Sequence, residues 1–171
     1  MRATFTGAIA IFAAALGACG DGGDAAAQRP RAPGQAQSFC LSAAEMSQAV
    51  GFQVAVLPQG TRVYGPAEMC AYEGTGQFRG TFVSLSAGPA GGEEDPMKKV
   101  QQTAKTMLGA AAAAEPIDVG DGGYAYGSGP QSEAVARKGD RTYYVQVATT
   151  AAGGPGDKKA ELVALLRRVV R

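Results

Sequence analysis

The sequence contains no histidine and no tryptophan, and only three of its 171 residues are cysteine. Without histidine, the chain can form neither a Ser-His-Asp nor a Cys-His catalytic site, and it has no imidazole ligand for zinc. The sequence also lacks the Ser-x-x-Lys, Gly-x-Ser-x-Gly and Cys-x-x-Cys motifs. Hydrolysis by paired carboxylates is the catalytic chemistry that these absences leave open.

The N-terminus carries an apolar run, Ala3 to Leu16, after a single positive charge. This run is shorter than the about 20 residues that a membrane-spanning helix needs. Small residues precede Cys19, at the place where a secretory signal is cut. The stretch Leu16-Gly17-Ala18-Cys19 resembles the lipobox of bacterial lipoproteins, which implies that residues 1–18 are a signal peptide and that Cys19 is lipidated. The alternative is an ordinary secretory signal that ends at a chance cysteine.

The next residues are polar and small. Residues 20–38 contain no Leu, Ile, Val, Met or aromatic residue, so they cannot bury a core. We predict that residues 19–38 are the lipidated cysteine and a flexible tether with a span of roughly 24 Å, and that residues 39–171 form a single domain. Removal of residues 1–18 takes away one basic residue and leaves equal numbers of acidic and basic residues. We therefore expect no nucleic acid as a partner.

Two cysteines remain beyond the predicted lipidation site, Cys40 and Cys70. The compartment outside the cytoplasmic membrane is often oxidising, so we predict that they form a disulfide. In the chain-entropy model, this bond contributes about 3–4 kcal/mol to stability. The alternative is a catalytic or metal-binding thiol, for which the sequence offers no histidine or second nearby cysteine.

Helical and alternating patterns predict an α+β fold. A capping box at Ser42 and Glu45 begins a helix that Gly51 ends. Asp95 and Pro96 begin a second helix, which ends at Gly109 or continues through the following alanines. Alternating residues predict short strands at 52–56, 61–64, 70–72, 78–87, 124–126, 132–138 and 141–149. We predict an antiparallel sheet of about five to seven strands, with the helices 96–108 and 157–170 packed on one face.

The acidic residues that a carboxylate enzyme needs lie mostly in predicted turns, at Glu68, Glu73 and residues 93–95. Residues 93–95 come directly before a predicted helix, where the helix dipole favours negative charge. Asp118 and Asp121 lie beside glycines as in calcium loops, but the distal glutamate of an EF-hand is missing, which favours a tight turn at Gly120-Asp121. We predict no catalytic residue, no metal ligand and no cofactor.

The tyrosines are the candidate binding residues. All six lie on or beside predicted strands, and Tyr143 and Tyr144 are adjacent. Neighbouring residues of a strand point to opposite faces of the sheet, so one of the two presents its ring on each face. We assign Tyr143 and Tyr144 as candidate ligand- or partner-binding residues; the alternative is ordinary packing with the hydroxyls at the rim. The basic residues of the last helix either contact anionic lipid or favour the helix C-terminus.

The order of these motifs resembles a known family. The lipobox and tether are followed by Cys40-Leu41 with a short helix, Cys-x-aromatic at 70–72, Gly-Asp-x-x-Tyr at 120–124, a hairpin at 137–141 and a terminal helix. This order resembles a domain-of-unknown-function family of small bacterial lipoproteins, best known from high-GC Gram-positive bacteria. Gly123 departs from the family pattern. The resemblance implies an extracytoplasmic lipoprotein with a cystine, and it implies no reaction.

Together these observations predict a lipid-anchored, extracytoplasmic, non-catalytic binding or interaction module of the cell envelope. We expect the acylated Cys19 to bind the membrane, and an envelope protein or a small apolar or glycan ligand to be the partner. The membrane is the outer membrane in a Gram-negative cell and the outer face of the cell membrane in a Gram-positive cell. A carboxylate-dependent envelope enzyme and a purely structural lipoprotein are the alternatives.

Overall fold

Seven strands form one antiparallel sheet that carries three helices. The computed structural model describes residues 39–64, 67–91, 95–150 and 152–170, so the predicted signal peptide, Cys19 and the tether lie outside the described residues. The elements, in chain order, are α1 (Ala43–Val50), β1 (Val54–Tyr64), β2 (Ala67–Gly74), a 3-10 turn (Gly76–Phe78), β3 (Thr81–Pro89), α2 (Pro96–Leu108), β4 (Glu115–Ile117), β5 (Gly123–Gly127), β6 (Gln131–Lys138), β7 (Arg141–Thr149) and α3 (Lys159–Val169).

The sheet consists of two consecutive meanders joined at its centre. Its strand order is β1-β2-β3-β7-β6-β5-β4, and every neighbouring pair is antiparallel. The first meander ends in β3 and the second ends in β7, and these two strands pair along nine residues. The α+β class and the predicted strand number are therefore confirmed, with seven strands at the upper end of the range.

One face of the sheet, which we call the α3 face, is covered by α1 and α3. Val83 and Leu85 from β3 and Val145 and Val147 from β7 are buried there. The following residues of the two helices pack onto this layer: Met46, Val50, Leu162, Leu165 and Leu166. Each fully buried leucine contributes about 1.5–3 kcal/mol through the hydrophobic effect, so α3 is fixed mainly by its apolar side.

The helix α2 lies on the other face, which we call the α2 face. Val100 and Ala104 of α2 pack against Tyr126 of β5 and Val135 of β6, whereas the neighbouring Ala134 belongs to the α3 face. The prediction that helices 96–108 and 157–170 share a face is therefore wrong. The physical reason lies in β6, where five consecutive residues, 132–136, are buried. A strand that is buried on both sides needs cover on both sides.

The first strand also differs from the prediction. Residues 52–64 were expected to form two strands around a turn at Pro58-Gln59-Gly60, but both halves pair with β2 as one strand. The register moves from Val56 opposite Tyr72 to Thr61 opposite Cys70, so β1 contains three more residues than β2 over this interval. The proline and glycine therefore sit in an irregularity at a sheet edge, where a missing N–H donor does not disrupt a ladder.

The start of the domain is attached to the α3 face at two points. The Sγ atoms of Cys40 and Cys70 are 1.95 Å apart and the Cα atoms are 5.6 Å apart, so the predicted pairing is confirmed. One residue further along, the buried Tyr72 hydroxyl donates a hydrogen bond to the Leu41 carbonyl at 2.6 Å. The predicted capping box follows directly, with the Ser42 N–H donating to Glu45 and the Glu45 N–H donating to the Ser42 hydroxyl.

Candidate functional site

Four polar side chains form a row across the α2 face. The strand register places Ser84 of β3 opposite Gln146 of β7, Gln146 opposite Glu133 of β6, and Glu133 opposite Tyr126 of β5. Directly opposed side chains of an antiparallel sheet lie about 5 Å apart on the same face. We call these four residues the polar row. It begins on the open part of the sheet at Ser84 and ends beneath α2 at Tyr126.

The centre of the polar row is a buried carboxylate. Glu133 is 1% exposed and is the one buried acidic residue in the described part of the chain. Its Oε1 atom accepts hydrogen bonds from Gln146 Nε2 at 3.0 Å and from Gln131 Nε2. Its Oε2 atom and the Tyr126 hydroxyl are buried and have no partner in ordinary hydrogen-bond geometry, although a hydrogen-bonding interaction with Glu133 contributes to the raised pKa of Tyr126. Burial of such groups is costly, which makes this part of the α2 face a candidate site.

Two phenols share the environment of this carboxylate. Burial raises the pKa of Tyr126 and of Tyr144 well above the ordinary tyrosine value, and the negative charge of Glu133 raises both pKa values further. Both hydroxyls therefore remain protonated at neutral pH and can act as hydrogen-bond donors.

A groove lies along the edge of α2, where the helix leaves part of the sheet uncovered. It encloses about 340 Å³, at the low end of the range for small-molecule sites. Its walls come from β2, β3, β7 and the first turn of α2. The residues that line it are Met69, Ser84, Ser86, Pro96, Lys99, Tyr144 and Gln146. Gln146 therefore contacts the groove and, through its amide, the buried Glu133.

The structure separates the two predicted binding tyrosines. Tyr144 lines the groove on the α2 face. Tyr143 lies on the α3 face, where its ring meets Phe39 edge-on at 6.5 Å between centroids and the Arg141 guanidinium lies 5.8 Å from its centre. Both side chains are partly buried. The expectation that they point to opposite faces is confirmed, and the groove contains one of the two.

The other sequence candidates have structural roles. The Asp121 carboxylate accepts a hydrogen bond from the Gly139 N–H at 2.6 Å, and a Cβ at Gly120 would lie 2.3 Å from the Arg137 carbonyl oxygen, so this segment is a tight turn against the β6–β7 hairpin. Asp95 caps α2 through the Met97 N–H at 3.0 Å. Within the described ranges, no group of three or more Cys, Asp or Glu side chains is arranged to hold a metal ion.

Three basic side chains at the last helix take part in ion pairs. Lys158 pairs with Glu161 at 2.9 Å, Lys159 with Glu115 at 2.6 Å, and Arg168 with Glu45 at 3.0 Å. These contacts favour the interpretation that the basic charges have a structural role in the helix and its contacts with neighbouring elements. None of the helices in the described ranges combines the length and the apolar character needed to cross a membrane.

Comparisons with known proteins add no relative. The chain matches no protein-family model, and no significant match was found among curated proteins or solved structures. The candidate site therefore rests on the geometry of this chain.

The sequence pattern did not predict Glu133 or its two glutamine partners. Glu133 is a single carboxylate within a strand, and no motif surrounds it. The available signal was its position between Ser132 and Ala134 in a run of small and apolar residues, which is an unusual place for a charge. Its partners Gln131 and Gln146 become evident only when the register of β6 and β7 is known.

Proposed function

We propose that residues 39–171 are a non-catalytic binding domain of the bacterial cell envelope, attached to the membrane through an acylated Cys19, and that the groove beside α2 is its binding site. The observation that carries this proposal is the groove itself. It places an aromatic ring, Tyr144, beside uncharged polar groups on a sheet surface that α2 leaves open. Rigid aromatic surface with a few convergent polar groups is characteristic of binding sites.

The enzyme alternative has less support. Hydrolysis by carboxylates requires two of them at a defined separation, one as acid and one as base or nucleophile. The described residues include a single buried carboxylate, Glu133, and the groove is lined by no acidic side chain. The groove combines uncharged polar side chains with one lysine and no carboxylate, which favours recognition over bond cleavage.

Site-specific photocrosslinking in the native envelope tests the binding proposal. A photoreactive phenylalanine analogue replaces Ser86 in the groove, and the matched control replaces Ala164, which is exposed on α3. We expect a crosslinked species that forms with the label at position 86 and not at position 164. Equal labelling at both positions, or labelling at position 164 alone, would contradict the groove as the binding site.

Mass spectrometry of the native N-terminus tests the anchor. The motif at residues 16–19 predicts that the mature chain begins at Cys19 with acyl chains on this residue. A Cys19→Ala variant should remain unprocessed and lose the acylated species. An unmodified Cys19, or a mature chain that begins elsewhere, would contradict membrane attachment and leave the groove proposal to its own test.

A further inference from the structure

The groove presents a specific set of hydrogen-bonding groups, and Glu133 determines one of them. A carboxylate oxygen that receives hydrogen bonds from two glutamines requires that each amide turn its nitrogen toward it. Gln146 therefore directs Nε2 to Glu133 at 3.0 Å, and its carbonyl oxygen is left for the groove. Among the described residues, no group donates a hydrogen bond to this oxygen.

Two serine hydroxyls lie beside this acceptor. Ser84 is directly opposite Gln146 and Ser86 is directly opposite Tyr144, so a hydroxyl–amide pair is adjacent to a hydroxyl–aromatic pair on the groove floor. Neither hydroxyl forms a hydrogen bond to another described residue. Each can donate and accept a hydrogen bond, which matches a ligand whose own groups do both.

The backbone around the groove is not available to a ligand. The strands β2, β3 and β7 are interior strands, so their N–H and C=O groups are used in pairing with neighbours on both sides. An extended peptide that adds to a sheet requires a free edge. The groove therefore offers side chains alone, which favours a ligand rich in hydroxyl groups over a peptide backbone.

The one charged residue that lines the groove is a cation. Lys99 is exposed and forms no ion pair with the described residues. It projects from the first turn of α2, whose N-terminus is already capped by the Asp95 carboxylate, so the positive charge at this end of the groove is that of the Lys99 ammonium. An anionic group on the ligand would therefore be favoured at this end of the groove.

From this arrangement we propose that the groove binds a saccharide that carries a carboxylate. The ring of Tyr144 and the side chain of Met69 contact the C–H face of a sugar ring. Ser84, Ser86 and the Gln146 carbonyl bind its hydroxyls, and Lys99 binds the carboxylate. Glu133 is a positioning residue that keeps the Gln146 amide in the orientation the ligand needs. This inference rests on the proposed binding function of the groove.

Calorimetric titration of the full-length, detergent-extracted protein tests the saccharide class. The probes are trigalacturonic acid, its methyl ester, an N-acetylmuramic acid–N-acetylglucosamine disaccharide, and triglutamate as an acidic peptide of comparable charge. We expect at least one acidic saccharide to bind, and triglutamate to bind at least tenfold more weakly than that saccharide. Because a hydrogen bond to a charged group is worth about tenfold in affinity, methyl esterification of trigalacturonic acid should weaken its binding about tenfold if it is the ligand.

Groove variants separate the contributions of Lys99, Gln146 and Glu133 to ligand affinity. Lys99→Met should lower affinity for the acidic saccharide about tenfold and leave affinity for the methyl ester unchanged. Gln146→Ala should weaken the binding of both the acidic saccharide and the methyl ester. Glu133→Leu should weaken binding as much as Gln146→Ala does. Glu133→Gln retains an acceptor oxygen for the Gln146 amide, so its affinity should lie within about threefold of wild type. Far-ultraviolet circular dichroism of each variant separates loss of binding from loss of folding.

The outcomes distinguish the two proposals. If neither acidic saccharide binds, or if triglutamate binds more tightly than both, the saccharide inference is overturned, and a crosslink at position 86 would still support the groove as a binding site. If Glu133→Gln and Glu133→Leu are equally impaired while folded, the positioning role of Glu133 is overturned. If no probe binds and position 86 captures nothing beyond the position 164 control, the binding function and the saccharide inference both fail.

Discussion

The two faces of the sheet differ in how completely they are covered and in what they bury. On the α3 face, two helices and a disulfide enclose an apolar layer. On the α2 face, a single helix covers β5 and β6. It does not cover β2 and β3, whose side chains line the groove, and Phe82 of β3 is 46% exposed. The buried carboxylate Glu133 lies on this second face. The comparison indicates that the larger apolar core lies on one face, whereas the proposed binding groove lies on the other.

Removal of the disulfide should have the largest effect. The double variant Cys40→Ser/Cys70→Ser should lower the free energy of unfolding by about 3–4 kcal/mol, because the bond restricts the unfolded chain between the start of the domain and β2. Urea unfolding under non-reducing conditions measures this change. Wild-type protein with a reducing agent is the control and should match the double variant. A change below about 1 kcal/mol would show that the α3 face does not depend on this bond.

Leucine truncation provides the next contrast. Leu166 is fully buried on the α3 face, and Leu108 at the end of α2 is 45% exposed. Leu166→Ala should lower the free energy of unfolding by about 3 kcal/mol, since it leaves a cavity, and Leu108→Ala should change it by less than about 0.5 kcal/mol. Denaturant titration of both variants measures the difference. Equal effects would mean that α2 contributes as much to the core as α3 does.

Local signals in the sequence were sufficient to predict where α1 and α2 begin. Ser42 with Glu45, and Asp95 with Pro96, are caps whose hydrogen bonds involve neighbours in the chain, and the structure contains them. The face on which α2 packs depends on contacts distant in sequence. Because small residues on one side of β6 alternate with Glu133 and Val135 on the other, the run at 132–136 has no clear polar side. A pattern of alternation could therefore not show that both sides are covered.

The candidate site was predictable only in part. The adjacent Tyr143 and Tyr144 are recognisable in the sequence, and their opposite orientation follows from strand geometry. Which of them meets a groove depends on where α2 lies. The polar row required the register of four strands, and a shift of one residue would have moved Glu133 to the other face.

High pH should weaken both faces, and one tyrosine allows the α3 face to be measured separately. Burial raises the pKa of Tyr72 to about 12. Because this folded-state pKa lies above the unfolded value of about 10, the stabilisation is fully present below pH 10 and is lost as the pH rises toward 12. Between these pH values, the free energy of unfolding of wild type should fall about 1–2 kcal/mol more than that of Tyr72→Phe. Parallel declines would contradict the raised pKa.

The helix caps should give smaller effects. Ser42→Ala removes the acceptor for the Glu45 N–H and should lower the free energy of unfolding by about 1 kcal/mol. The exposed Gln48 on the same helix is the control position, and Gln48→Ala should change stability by less than about 0.5 kcal/mol. Thermal and urea unfolding measure both variants. A neutral Ser42→Ala would mean that α1 is held by its packing on the α3 face alone.

The smallest predicted change has the opposite sign and concerns the α2 face. Glu133→Gln removes a buried charge that no described basic residue pairs with, and its amide oxygen can still accept from Gln131 and Gln146. The new amide nitrogen can donate to the Tyr126 hydroxyl oxygen, which a carboxylate oxygen cannot do. We therefore expect the free energy of unfolding at pH 7 to rise by about 0.5–1 kcal/mol. Urea unfolding measures the change, with Gln131→Glu as a control that adds a second charge and should destabilise. A loss of stability in Glu133→Gln would assign Glu133 to the structural core and would contradict this estimate.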